Sequence, residues 1–196
     1  DEGDTATYSF VMVMSALIPP TMVGQEPAPA KGFQIIDEQG NAFVYNPSAS
    51  LNRVLTFHFC RLGSDINILD MPTPCEISDD TLSDLWENRN QHLGSLAGDY
   101  EQYFVSLDRL SPNDMMRWRV ANPNRVRYPL LVDIDQNPLD GITDAWAIYR
   151  RDPPWGDGVT NINQIPLTVV IDRNGYVRGW IPVPIVEVGD FPGAPP

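Results

Sequence analysis

A chain of 196 residues, of which 42% are hydrophobic, is long enough to form one domain with a sizeable core. Its formal net charge of −13 argues against nucleic acids and anionic membrane surfaces as partners, because both would repel it. The 19 prolines indicate long, stiffened connections between elements.

The N-terminal part is predicted to stand apart from the body of the protein. Residues 9–18, SFVMVMSALI, are apolar, but acids precede them where a secretory signal would carry bases, and the run is too short for a membrane span. We therefore expect an extended arm or strand that packs on something, with the remnant of a membrane anchor as the alternative. Residues 19–31 form a Pro/Ala/Gly linker between this arm and the body. The start at Asp1 rather than Met suggests a processed or trimmed chain.

The first elements of the body are a hairpin and a central strand. Residues 33–36 and 42–45 are predicted strands around a polar turn, and 54–60 is an almost continuous apolar run typical of a strand buried on both faces. A loop of about a dozen residues follows. A helix is predicted over 77–93, and its apolar residues lie close to one face: Ile77, Leu82, Leu85, Trp86 and Leu93. The acids at its start, Glu76, Asp79, Asp80 and Asp84, suit the positive end of the helix dipole.

The second half repeats the alternation of strands and helices. Residues 103–108 and 130–134 are predicted strands, and between them Ser111 caps a short helix that continues to Arg119. Residues 144–149 form a helical turn.

The last predicted element of the body is a hairpin that begins at Pro166. A proline is tolerated at the first residue of a strand, and the apolar run after Pro166 ends in the turn 172–175. Residues 182–196 form an extended proline-rich tail. Strands that alternate with helices and then end in a hairpin predict an α/β sandwich with a mixed central sheet.

The two cysteines, Cys60 and Cys75, are separated by fourteen residues, a spacing that matches no zinc pattern. A disulfide between them and a pair of free thiols both remain open.

The order of these pieces resembles the thioredoxin-like superfamily over about residues 32–181. The segments IIDEQGNAFVY, VLTFHF, FVSLDRLSPNDM and IPLTVVIDRNGYV carry the resemblance. Within the superfamily the chain is most similar to the branch that holds alkyl-hydroperoxide-reductase/thiol-specific-antioxidant proteins, TlpA/ResA-like reductases and Sco-type copper proteins. The resemblance implies a three-layer sandwich at 32–181, with the arm and linker at 1–31 and the tail at 182–196 as extensions.

The resemblance also implies a site. Pro166 would follow a cis peptide bond, and Ile165 would lie beside Cys75, the reactive cysteine at the start of a helix. A helix N-terminus favours the thiolate, which is the nucleophile in disulfide exchange. Cys75 would then be the attacking thiol and Cys60 its partner.

Several departures from the family's active patterns weaken that implication. Cys-x-x-Cys is absent, and Glu76 directly after Cys75 would oppose thiolate formation. The peroxidase threonine is matched only by Thr73, one residue out of register, and 164–165 lacks the peroxidase arginine. Sco-type copper binding needs a histidine before the last hairpin, yet the chain has only His58, expected in the core, and His92, expected in solvent near a helix end.

Three functions follow in order of preference. The first is a thioredoxin-fold module without a complete catalytic motif, an accessory or assembly subunit that binds a protein partner through arm 9–18 and tail 182–196. It would touch a membrane only through the arm or that partner. The alternative is a thiol–disulfide oxidoreductase that uses Cys75 and Cys60, and the further alternative is Sco-like copper handling at Cys60, Cys75 and His58. No cofactor or metal is expected for the first two, and the resemblance favours an extracytoplasmic location.

Overall fold

The computed structural model of the protein describes residues 29–62, 74–108, 110–133, 145–151 and 165–181. The predicted arm 9–18, the tail 182–196 and Thr73 lie outside these residues. Within the described ranges the chain forms seven strands, four α-helices and a 3₁₀ helix. The strands are β1 (Phe33–Asp37), β2 (Ala42–Tyr45), β3 (Val54–Cys60), β4 (Tyr100–Ser106), β5 (Leu130–Val132), β6 (Leu167–Ile171) and β7 (Val177–Ile181). The helices are α1 (Pro74–Glu87), α2 (Arg89–Leu93), α3 (Pro112–Ala121) and α4 (Ala145–Arg151), and the 3₁₀ helix spans Gly94–Asp99.

The strands form one mixed sheet in the order β2-β1-β5-β4-β3-β6-β7. The central strands β3, β4 and β5 pair in parallel, and the outer strands on both sides pair antiparallel. Strand β3 lies between β4 and β6, and six of its seven residues are buried. This burial agrees with a strand that is covered on both faces of the sheet. The predicted mixed sheet is confirmed.

A core lies on each face of this sheet. Successive residues of a strand point to opposite faces, so Phe59 and Cys60 of β3 belong to different clusters. Trp146 of α4 packs in the cluster with Phe59, whereas Leu82 of α1 and Met115 of α3 pack in the cluster with Cys60. Helices therefore cover both faces, as the predicted three-layer sandwich requires.

Both predicted hairpin turns are built by an aspartate and a glycine. Asp37 accepts hydrogen bonds from the backbone of Gln39 and Asn41, and Gly40 follows with a φ of 86°. Asp172 plays the same role in the β6–β7 turn, where Gly175 has a φ of 78°. A glycine is favoured at each turn because other L residues rarely adopt this φ.

The predicted helix 77–93 is interrupted. Helix α1 begins earlier, at Pro74, and ends at Glu87, and the short α2 follows. The break lies at Asn88, whose φ of −102° and ψ of 20° depart from the values of an α-helix. The prediction of one continuous helix was therefore wrong.

The end of the predicted linker contacts the body. Pro29 forms a bridge with Tyr176, the Ala30 amide donates to the Gly175 carbonyl at 2.8 Å, and the Lys31 carbonyl accepts from Tyr149 at 3.0 Å. Residues 29–31 thus pack against the last hairpin and α4.

Candidate functional site

Cys60 and Cys75 form a disulfide, with their Cα atoms 6.0 Å apart. Cys60 is the last residue of β3, and Cys75 is the second residue of α1. Both are buried, with 0% of Cys60 and 2% of Cys75 exposed to solvent. The structure therefore brings together the two cysteines of the predicted redox pair as a disulfide.

The chain after Cys60 is fixed in place by hydrogen bonds. The Cys60 carbonyl accepts from the Leu107 amide at 2.9 Å, which joins the ends of the parallel strands β3 and β4. The Leu62 amide donates to Asp108 Oδ2 at 2.6 Å, and the Leu62 carbonyl accepts from Trp118 Nε1 at 3.0 Å. The residues after β3 are thus held by two neighbouring segments, at the end of the strands where Cys60 lies.

Ile165 and Pro166 directly precede β6, at the end where Leu167 pairs with Phe59, the residue before Cys60. Their peptide bond is cis, as the resemblance implied. Pro166 is buried, and Ile165 packs against the cluster that contains both cysteines. The four predicted site residues therefore share one end of the sheet.

The charge of Glu76 is offset in the folded chain. Its Oε1 lies 3.3 Å from Arg125 Nη1, so the opposition to a Cys75 thiolate expected from the sequence is reduced by a neighbouring cation. Arg125 also pairs with Asp79, with 2.9 Å between Nη2 and Oδ2. Sequence analysis did not identify Arg125.

Asp79 is a buried acid on the same face of α1 as Cys75. The two are four residues apart and so are neighbours on the helix, and Asp79 is 0% exposed. Burial raises the pKa of Asp79 to about 7, although the hydrogen bond and the charge of Arg125 oppose the rise. The sequence predicts Asp79 as a favourable acid at the helix start, whereas its side chain lies in the interior and pairs with Arg125. An acid on the apolar face of a predicted helix is the signal that could have found this pair, because buried charges need partners.

The backbone next to Arg125 is strained. Val126 has a φ of 39°, a value that a β-branched residue rarely adopts, and it is buried. Such conformations persist only where the surroundings hold them, and they concentrate at functional sites. The strain at Val126 therefore indicates that the surroundings hold the Arg125 loop in one conformation.

His58 is a buried core residue, as expected. Its Nδ1 lies 2.8 Å from Thr168 Oγ1 on the neighbouring strand, and burial lowers the pKa of the ring to about 3. His92 is not simply solvated as predicted, because its Nε2 lies 3.0 Å from Asp84 Oδ2.

The copper site drawn from the sequence has no support. With Cys60 and Cys75 joined, neither thiol is available as a ligand. Across the described ranges, no group of three or more His, Cys, Asp and Glu side chains could hold a metal ion.

None of the helices described is long and apolar enough to cross a membrane.

Comparisons with known proteins identify the fold and no more. No family model and no curated protein matches the sequence. A candidate thiol-disulfide oxidoreductase from Bacteroides vulgatus is similar in structure, at 16% identity over 81% of this chain and 88% of that one, with a TM-score of 0.50. A candidate protein disulfide isomerase from Bacteroides thetaiotaomicron has 14% identity over 82% and 80%, with a TM-score of 0.49. A thiol:disulfide interchange protein of the thioredoxin family from Chlorobium tepidum has 18% identity over 83% and 90%, with a TM-score of 0.48. The likeness to the Bacteroides vulgatus structure confirms the fold class that the sequence predicted.

Proposed function

We propose that this chain, which has the thioredoxin-like fold, is a thiol–disulfide oxidoreductase whose redox pair is Cys60 and Cys75. The observation that carries the proposal is the disulfide that joins the end of β3 to the first turn of α1, next to the cis Ile165–Pro166 bond. The name of the Bacteroides vulgatus structure agrees with this reading. The accessory-subunit interpretation, which we had placed first, has no support in the described residues, and the segments 9–18 and 182–196 on which it depends lie outside them.

The reaction needs a dithiol as the second reactant. A thiolate of that dithiol attacks one sulfur of the Cys60–Cys75 disulfide, which forms a mixed disulfide and releases the other protein sulfur as a thiolate. The second thiol of the reactant loses its proton and attacks the mixed disulfide, which releases the first protein sulfur. Two electrons and two protons pass to the protein, and the reactant leaves as a disulfide. The reverse sequence oxidises a substrate dithiol.

Cys75 is the attacking thiol in this proposal, and Cys60 is the partner. Cys75 lies in the first turn of α1, at the positive end of the helix dipole, which favours a thiolate there. Arg125 adds a positive charge beside Glu76 in the same turn. Ile165 packs against the cluster that contains both cysteines and would supply an apolar surface for a substrate chain. Because disulfides persist in oxidising compartments, we propose an extracytoplasmic location.

The burial of both sulfurs favours a second candidate function, a structural cross-link. With 0% of Cys60 and 2% of Cys75 exposed, an external thiol reaches neither sulfur without a local opening of the chain. A redox protein must allow that opening under native conditions, whereas a structural disulfide is released only when the domain unfolds.

The rate of reduction separates the two functions. We would treat the oxidised protein with dithiothreitol in native buffer and in concentrated urea, quench with an alkylating reagent, and follow the intact mass. A native rate that equals or exceeds the rate in urea supports the oxidoreductase. A native rate that is at most the rate of global unfolding establishes the cross-link and rejects the proposal.

Two single variants test the roles of the thiols. In the Cys60→Ser variant the remaining Cys75 thiol should be alkylated with a pH midpoint below about 8.5, the ordinary value of a free thiol. The Cys75→Ser variant is the matched control, because Cys60 lies at a strand end and lacks the helix terminus. Equal midpoints in the two variants would contradict the assignment of Cys75 as the attacking thiol.

A further inference from the structure

The side chain of Arg125 lies against the first two turns of α1. Its Nη2 and Nε lie 2.9 and 3.3 Å from Asp79 Oδ2, and its Nη1 lies 3.3 Å from Glu76 Oε1. Glu76 directly follows Cys75, and Asp79 lies four residues after Cys75. Asp79 is fully buried, so this charge-assisted contact is shielded from water and from salt.

The same guanidinium reaches the segment that follows Cys60. Arg125 Nη1 lies 3.5 Å from the carbonyl oxygen of Leu62, a long contact that Trp118 reinforces with its own hydrogen bond of 3.0 Å to that oxygen. The guanidinium carbon of Arg125 lies 5.3 Å from the centre of the Trp118 ring, within the range of a cation–π contact. Arg125 and Trp118 therefore meet at the chain that leaves Cys60.

The loop that carries Arg125 is held in its strained conformation by neighbours. The Val126 carbonyl accepts from Arg119 Nη1 at 3.1 Å, and the Arg127 amide donates to Ser83 Oγ of α1 at 3.0 Å. Both groups belong to the peptide after Val126, and on the other side the Arg125 amide donates to the Asn122 carbonyl at 3.1 Å, so the positive φ of Val126 lies between two anchored amides. A strained backbone that is anchored on both sides directs the Arg125 side chain to one place.

We infer that Arg125 is a positioning residue that holds the segment after Cys60 against the start of α1, and so keeps the two thiols near each other after reduction. The inference rests on the proposed function, in which the pair alternates between disulfide and dithiol. In the oxidised protein the covalent bond joins the two segments. In the reduced protein the contacts of Arg125 remain, and they raise the effective concentration of one thiol at the other.

The effective concentration is measured by equilibrium with glutathione. Glutathione disulfide oxidises the Cys60/Cys75 dithiol to the disulfide and leaves as two glutathione thiols, and the equilibrium constant of this oxidation has the units of a concentration. We expect Arg125→Gln to lower it about tenfold, which corresponds to about 1.4 kcal/mol. Arg127→Gln is the matched control, because Arg127 pairs with Glu87 at 2.8 Å at the far end of α1. It should stay within about twofold of the wild-type value, a difference too small to indicate a lost contact.

A second variant removes the concern that Arg125→Gln leaves Asp79 buried without its cation. The double variant Asp79→Asn/Arg125→Gln lacks both charges. It also lacks the contacts of Arg125 with α1 and with the Leu62 carbonyl, which we call the clamp. It should show the same fall in effective concentration as the single variant. A wild-type value in the double variant would overturn the inference, because the fall would then come from the unpaired carboxylate.

Stability measurements separate positioning from general support of the fold. If Arg125 only stabilises the domain, Arg125→Gln will lower the free energy of unfolding equally in the oxidised and reduced proteins and leave the glutathione equilibrium unchanged. That result would overturn the inference. The rate of native exchange in the wild-type protein tests the proposed function, whereas the equilibrium position after complete exchange tests the clamp, so the two can fail independently.

Discussion

Reduction of the Cys60–Cys75 disulfide should lower the free energy of unfolding by about 3 kcal/mol. The magnitude follows from the sequence separation of 15 between the two cysteines. In the chain-entropy model, a cross-link that closes a loop of about 15 residues restricts the unfolded chain by about 3 kcal/mol at 25 °C. The reduced wild-type protein keeps both sulfur atoms in the core, so its comparison with the oxidised protein isolates this constraint.

The assay is urea unfolding of the oxidised and the reduced protein at one pH, followed by tryptophan fluorescence. The variant Cys60→Ala/Cys75→Ala is the control for the reductant, because its unfolding should not respond to dithiothreitol. That variant should also lie below the reduced wild type by about 1–2 kcal/mol, since two buried sulfurs are lost from the core that holds Leu82 and Phe104.

A thermodynamic cycle gives a second measure of the same quantity. If the disulfide stabilises the fold by about 3 kcal/mol, folding must favour the disulfide over the dithiol by roughly 150-fold relative to the unfolded chain. The glutathione equilibrium in native buffer and in urea should therefore differ by that factor. A stability difference below about 1 kcal/mol together with equal equilibria would refute the loop-closure reasoning.

Three further predictions concern groups around the sheet. Because burial raises the pKa of Asp79 to about 7, the folded chain keeps a proton that the unfolded chain loses near pH 4. The free energy of unfolding therefore falls as the pH rises from about 4 to 7. In urea unfolding, Asp79→Asn should raise the free energy of unfolding above the wild-type value by more at pH 8 than at pH 5. An equal rise at both pH values would contradict the assignment. Because burial lowers the pKa of His58 to about 3, its ring should stay neutral at pH 5 by NMR, and the stability that it supports declines as the pH falls below about 6.5. Thr168→Val should cost about 1–3 kcal/mol by leaving Nδ1 of His58 unpaired, whereas Thr168→Ser keeps the hydroxyl and most of the stability. Ser111→Ala should cost about 1 kcal/mol in thermal or urea unfolding, because the Ser111 side chain accepts from the Asp114 amide at the start of α3, and Ser111→Asp should restore most of the loss.

The elements that sequence analysis located well are those with short-range causes. Both hairpins follow from an Asp and a Gly at fixed places in the turn, and the buried strand 54–60 follows from its unbroken apolar run. The mixed sheet then follows from the order of the elements. All of these signals lie within windows of a few residues, which is the range over which a pattern carries information.

The bounds of the helix that carries Cys75 were less predictable. The apolar pattern begins at Ile77, but the helix begins at Pro74, since a proline in the first turn needs no hydrogen-bonded N–H. The difference matters for function, because the apolar pattern alone leaves Cys75 in the loop, whereas the helix has it in the first turn, as the resemblance implied. The break at Asn88 is a local change of φ and ψ that periodicity does not reveal.

The pairing of Arg125 with the cysteine-bearing helix depends on contacts that no local pattern contains. Asp79 and Arg125 are 46 residues apart, and the Leu62 carbonyl lies 63 residues from Arg125. The conformation of Val126 also opposes its own preference, so a propensity argument predicts a different backbone at that residue. Sequence reasoning fails at this loop because the tertiary contacts hold a backbone that the local sequence disfavours.

The shape of the guanidinium group explains why arginine rather than lysine occupies these positions. Lys31 is the only lysine in the chain. Arg119 donates to the carbonyls of Val126 and Tyr128 at 3.1 Å each, and its Nε lies 2.6 Å from Glu38 Oε2. Arg125 contacts two acids and a carbonyl. A planar fork with five N–H groups satisfies partners in several directions at once, whereas a lysine offers a single compact charge. Two arginines therefore fix both the strained backbone and the cysteine-bearing segments, and a lysine at either position would release one of them.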